Sequence, residues 1–152
     1  MKVIINKPDY ILEPTRNTEE SAGYDLYSPE TFTIKARESY VVDTLISIAY
    51  EDIPDYLLAY CQIKGRSGLS INHGIEVCNA GVIDQDYRGT IKIKLYNASN
   101  INYIINEGDR IAQMLFFLLP KFNIEFINLN HNDFVNKYSS ERGINGLGSS
   151  GK

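Results

Sequence analysis

The chain has little with which to build a metal cage or a covalent staple, with only two cysteines and two histidines among its 152 residues. Cys61 and Cys78 both stand in apolar stretches of sequence, so both read as reduced thiols, the state expected in a cytoplasmic or nuclear protein. His73 and His131 are too few and too isolated for a metal triad and read as structural or exposed. Long hydrophobic runs are lacking too. The apolar tract at 114–119 is far shorter than the roughly 20 residues a membrane helix needs. The N-terminus, Met1-Lys2-Val3-Ile4-Ile5-Asn6-Lys7-Pro8, has neither the apolar core nor the small-residue cleavage pattern of a signal peptide.

Positive charge is also scarce. At a net charge of −4 the chain offers no general basic surface to nucleic acid, so any polyanionic ligand must be met locally. Candidates are the arginines beside glycine, Arg66, Arg88 and Arg142, because glycine lets backbone N–H groups and a guanidinium approach one phosphate. Helical periodicity is equally thin, and at most one short helix is expected, after Arg66-Ser67-Gly68-Leu69. No internal repeat or low-complexity linker divides the chain.

What is present is alternation. In Thr90-Ile91-Lys92-Ile93-Lys94-Leu95-Tyr96 the apolar residues share one face and the polar ones the other, which predicts a half-buried strand. Similar runs at 2–6, 31–35, 39–43, 46–50, 57–63, 101–105, 111–118 and 123–129, punctuated by Pro, Gly, Asn and Asp, predict an all-β barrel or sandwich. A hydrophobic content of 43% suits one globular domain, expected over 1–130. The remainder, 131–152, is poor in apolar residues and ends in a glycine-rich stretch, so it reads as an arm ordered by a ligand. Its last residues, Gly146 to Lys152, imitate the opening of a P-loop, but no hydroxyl residue, helix or leading strand gives that motif its phosphate cradle.

Five segments carry candidate chemistry. Gly81-Val82-Ile83-Asp84-Gln85-Asp86-Tyr87-Arg88-Gly89 runs from strand-like residues into a polar turn, read as a hairpin holding a carboxylate beside a tyrosine ring. Asp84 is either a usable acid or a turn cap, and Asp86 either a second acid or a turn residue. Arg66-Ser67-Gly68 presents a guanidinium, a hydroxyl and a glycine N–H, suited to phosphate or to an ordinary turn. In Gly108-Asp109-Arg110-Ile111-Ala112-Gln113, Gln113 can offer its amide to an anion, while Asp109 and Arg110 read as a local pair. Ala22-Gly23-Tyr24-Asp25-Leu26 sets one acid among small and apolar residues, and Arg142 opens the glycine-rich arm.

In order and spacing these segments resemble the five motifs of the homotrimeric dUTPase family, across nearly the whole chain. The resemblance implies a jelly-roll-like β fold, Mg²⁺-assisted hydrolysis of dUTP to dUMP and pyrophosphate, and active sites shared between subunits of a homotrimer. Such an enzyme keeps uracil out of DNA and supplies dUMP for thymidylate synthesis. By the same likeness Asp84 is the general base for the attacking water and Tyr87 packs under the deoxyribose. The backbone around Asn79, Val82, Ile83 and Lys92 forms the uracil clamp. Arg66, Ser67 and Gly68 grip the leaving phosphates, Gln113 the α-phosphate and Arg142 the γ-phosphate. Asp25 holds a water of the Mg²⁺ shell, and Leu147 and Gly148 lie in the arm that covers the base.

Three residues depart from the family pattern. Gly65 stands for proline, Ser150 for threonine, and Leu147 for the phenylalanine that covers the uracil ring, a loss of roughly 0.5–1.5 kcal/mol of aromatic contact. A dCTP deaminase shares part of the motif set but places a glutamate where deamination chemistry needs it, whereas this chain offers Asp84 and a family-like glycine-rich tail. A catalytically silent binding module would have lost Asp84, Tyr87, Ser67 or Gln113, and all are present.

Overall fold

The alternating runs become short antiparallel strands in the computed structural model, which describes residues 1–78 and 81–144. The strands are β1 (Lys2–Asn6), β2 (Tyr24–Tyr27), β3 (Phe32–Ile34), β4 (Ser39–Asp43), β5 (Ser47–Glu51), β6 (Leu57–Lys64), β7 (Ile75–Val77), β8 (Val82–Ile83), β9 (Lys92–Asn97), β10 (Tyr103–Ile105) and β11 (Arg110–Pro120). Two helices join them, α1 (Ser67–His73) and α2 (His131–Lys137). Strands pair as β1-β5, β3-β10, β2-β11-β6-β8 and β4-β9-β7. The chain divides into two compact units, Met1–Lys121 with all of these strands, and Phe122–Lys152 with α2.

Alternation places the core of the first unit. Ile91, Ile93 and Leu95 are fully buried while Lys92 and Lys94 are exposed, and Val42, Ile48, Ile63, Ile105 and Met114 meet them from other strands. Burying such side chains stabilises by roughly 1.5–3 kcal/mol each. Buried Asn97 serves the core as a polar staple, donating to the carbonyls of Ile34 (3.0 Å) and Ile101 (2.7 Å).

Four expectations change. Residues 123–129 pair with no described residue, and Phe122, Ile124 and Phe126 are 75%, 75% and 92% exposed. An isolated strand has no ladder to join, so alternation alone cannot make one. Helices number two among the described residues. The unforeseen one, α2, is set by Asn130, whose side chain accepts from the Asp133 N–H, and by Lys137 in the last turn. Cys78 is exposed, its Sγ 3.4 Å from the Lys94 carbonyl at the end of β7, whereas Cys61 is buried as expected. Finally, residues 81–89 do not fold back on themselves as a hairpin. β8 pairs with β6 (Cys61 opposite Ile83, Gln62 opposite Val82), and β9 pairs with β4 and β7.

Candidate active site

Antiparallel pairing of β2 with β11 sets Asp25 opposite Gln113, and an irregularity between Arg110 and Ala112 interrupts the register. A bulge of this kind re-aims a side chain. Here Arg110 Nη1 lies 3.4 Å from Asp25 Oδ2. From the N-cap of α1, just past β6, Arg66 donates Nε to Asp25 Oδ1 at 2.9 Å and Nη1 to the Arg110 carbonyl at 3.4 Å. Asp25 is only 6% exposed, which an ionised carboxylate tolerates because both oxygens face a guanidinium.

The three charges border a cavity of about 510 Å³ lined also by Asn17, Ser21, Ala22, Gly23 and Gln113. Two guanidinium groups against one carboxylate leave it a net positive charge, and the further N–H donors of both arginines suit an anion. Gly23 lets the Gln113 carboxamide lie against the chain, since a Cβ there would come within 2.8 Å of Gln113 Oε1. An adjoining cavity of about 480 Å³ is lined by Gly65, Arg66, Ser67, Ser70, Ile71, Glu76 and Val77. Arg66 thus borders both spaces, Ser67 the second, and Gly68 faces open space on α1. The short helix expected in this region is α1, which begins inside the motif at Ser67 and is closed by Gly74 in the left-handed conformation.

Asp84 and Tyr87 do not line the arginine cavity. Both are exposed, in the loop between β8 and β9, and no described residue of 81–92 lines the arginine cavity. Tyr87 N–H donates to the Asp84 carbonyl (3.2 Å), and Tyr87 Oη donates to the Thr90 carbonyl (3.1 Å). Val82 is exposed and Ile83 half-buried, while Lys92 Nζ lies 3.9 Å from Asp43 Oδ2. Arg142 belongs to the second unit. Asn79, Leu147 and Gly148 lie outside the described residues.

Arg110 is the residue the sequence reading assigned wrongly. Its supposed partner, Asp109, instead accepts from the Asn106 N–H at 2.8 Å, leaving Arg110 for Asp25. Nothing in the sequence marks the irregularity that turns it inward. Among the described residues no three His, Cys, Asp or Glu side chains converge into a metal site.

The strand-rich scaffold, with a buried carboxylate clamped by two arginines at the edge of a cavity, is of the jelly-roll-like class. The comparisons then narrow the class. The dUTPase family model matches residues 9–151. The deoxyuridine 5'-triphosphate nucleotidohydrolase of Candida albicans is 41% identical over all of this chain and 88% of its own length. That of Yaba monkey tumor virus is 41% identical over 91% of this chain and 87% of its own. Among solved structures, the dUTPase of Staphylococcus bacteriophage 80alpha with dUpNHpp superposes with a TM-score of 0.78 over 99% of both chains at 24% identity, a likeness of fold. The chain belongs to the dUTPase family.

Proposed function

We propose that this chain hydrolyses dUTP to dUMP and pyrophosphate at a site made of two halves, the Asp25–Arg66–Arg110–Gln113 cavity and the Asp84–Tyr87 loop. It is a dUTP diphosphatase, the activity that keeps uracil out of DNA and supplies dUMP for thymidylate synthesis. The observation that carries the reading is that Asp84 and Tyr87 do not line the cavity bordered by Asp25, Arg66, Arg110 and Gln113. A homotrimer, in which the loop of one subunit meets the cavity of the next, brings them together. The unpaired apolar stretch at 123–129 gives such an assembly a surface to bury.

In this reading the cavity receives the triphosphate. Arg66 and Ser67, with the Gly68 backbone, hold the leaving phosphates, and Gln113 holds the α-phosphate. Asp84 takes a proton from water as its oxygen attacks the α-phosphorus. The bond to the bridging oxygen then breaks, and pyrophosphate leaves with its electron pair. A carboxylate is a weak base towards water, so orientation supplies much of the acceleration. Tyr87 packs under the deoxyribose and leaves no room for a 2′-hydroxyl. The backbone of Asn79, Val82, Ile83 and Lys92 pairs with uracil, and buried polar groups left unpaired reject cytosine. Arg142 meets the γ-phosphate as the arm from His131 onward closes, with Leu147 and Gly148 over the base.

The donor set does not form a six-oxygen Mg²⁺ cage, because Asp25 is the cavity's one carboxylate and both its oxygens face arginine. A Mg²⁺ ion carried in on the triphosphate would be held by the phosphates, with Asp25 meeting it only through water, and would neutralise charge on the phosphate oxygens. The dUTPase of phage phi11, whose solved mutant structure describes coordination of a structural Mg(II) ion, gives the family precedent for a metal.

Pyrophosphate release from dUTP, dTTP, dCTP and UTP, with ammonia release from dCTP as control, tests the activity. Asp84→Asn is expected to retain nucleotide binding and to lose nearly all turnover. Retention of most turnover would remove Asp84 from the role of base.

A further inference from the structure

The loop that carries Asp84 leaves the sheet where β8 ends, at Ile83. Along the edge of β6 that meets β8 the donors recur at every second residue, as an antiparallel ladder requires. Ile63 N–H donates to the Gly81 carbonyl at 2.7 Å, and Cys61 stands opposite Ile83. The next donor, Ala59 N–H, belongs to a residue only 1% exposed, and by register it faces position 85. No backbone carbonyl of the loop takes it. Gln85 Oε1 does, at 2.7 Å. Its side chain thus occupies the place of the missing rung, while the main chain turns outward at Asp84.

The same residue anchors the far side of the turn. Its backbone carbonyl accepts from Arg88 Nη1 at 2.7 Å, and that Nη1 also donates to the Tyr87 carbonyl at 2.9 Å. Tyr87 N–H closes the turn on the Asp84 carbonyl. Arg88, read from sequence as an anion ligand, therefore spends its Nη1 inside the loop. Among the described residues, the remaining bonds of 84–89 stay within the loop or reach Thr90, so the Gln85 side chain is their hydrogen-bonded tie to the core sheet.

We propose that Gln85 is a positioning residue for Asp84: its amide oxygen, bonded to the Ala59 N–H, fixes where the loop leaves β6 and hence where the water-activating carboxylate stands. The inference rests on the reading of Asp84 as base. Losing the acceptor leaves a buried N–H unpaired and frees the turn to shift, and displacement of about 1 Å can cost up to a hundredfold in rate.

The experiment compares Gln85→Met, similar in length without the oxygen, with Gln85→Glu, which retains an acceptor, and with Gln85→Ala, in the full chain alongside Asp84→Asn. Steady-state kcat and KM for dUTP are measured together with native mass. Gln85→Met and Gln85→Ala are expected to lower kcat roughly ten- to hundredfold with KM changed less than about threefold, and Gln85→Glu to restore kcat to within about threefold. Wild-type kcat in either Met or Ala variant, an equal loss in the Glu variant, or a loss confined to KM overturns the proposal. If Met does not fold, the Ala and Glu pair decides by the same criteria. An active Asp84→Asn removes the base and the proposal with it. An inactive Asp84→Asn beside a fully active Gln85→Met removes the proposal alone.

Discussion

Asp25 is held between two arginines, with Arg66 Nε 2.9 Å from one carboxylate oxygen and Arg110 Nη1 3.4 Å from the other. The carboxylate keeps two like charges at one cavity and directs both. Asp25→Asn keeps the shape and removes the charge, so the guanidinium groups repel with one neutral amide between them. Because the arginine side chains are 23% and 46% exposed, solvent screens part of this, and the expected loss of stability is about 1–2 kcal/mol, below that of a fully buried pair. KM for dUTP should rise together with that loss. Urea unfolding and steady-state kinetics check both, and an unchanged KM would mean that Asp25 serves the fold and not the phosphates.

How much of this was legible depends on whether each determinant is local. Strands at 2–6 and 39–43 read to the residue because each is a short apolar run, Val3-Ile4-Ile5 and Tyr40-Val41-Val42, closed at both ends by polar residues. Residues 123–129 alternate, yet make no strand, because pairing needs a second edge that this chain's described residues do not supply. Asp25, Arg66 and Gln113 were singled out by type and spacing, and one cavity gathers them. Arg110 was lost to a neighbouring acid, because a register irregularity leaves no mark in sequence. In sequence, Gln85 is an amide between two acids with nothing to distinguish it from turn filler; its partner appears only where the ladder of β6 ends at Ile83.

Gly89 should set the sugar selectivity. A Cβ at this position would stand 2.6 Å from Tyr87 Cζ, where the ring lies over the backbone while its hydroxyl donates to the Thr90 carbonyl. The ring tip can swing aside, so Gly89→Ala is expected to leave the fold intact and move Tyr87 away from its bond. The ratio of kcat/KM for dUTP over UTP should then fall about tenfold. A ratio equal to the wild type's would show that Tyr87 does not exclude the 2′-hydroxyl.

Alkaline pH should destabilise the chain through its buried neutral groups. Burial pushes the Cys61 thiol up from 9.0 to about 12, and burial also raises Tyr50, whose hydroxyl has no hydrogen-bond partner among the described residues. A pKa raised in the folded state stabilises fully below the unfolded value, here 9.0, and that contribution is lost as pH climbs towards about 12. Cys61 alone should lower unfolding free energy by up to about 1.4 kcal/mol per pH unit in that window. Urea midpoints measured on either side of pH 9.0 should fall with rising pH in the wild type and fall less steeply in Cys61→Ala. Equal slopes would exclude the thiol as a source.

The proposed division of the site between the arginine cavity and the Asp84 loop predicts the behaviour of mixtures. Arg66→Ala damages the cavity and leaves the loop whole, while Asp84→Asn does the reverse, so each variant alone should be nearly inactive. If each site takes its cavity from one subunit and its loop from another, random assembly gives an intact pairing in roughly a quarter of the sites. Co-refolded equal mixtures should therefore recover about that share of wild-type turnover, with KM near the wild-type value because the rescued sites are complete. Variants purified separately and mixed without exchange should stay inactive, which separates subunit sharing from residual activity. If co-refolding yields only the sum of the two separate activities, each site lies within one chain, and the separation of Asp84 from the arginine cavity must be closed by movement inside the subunit.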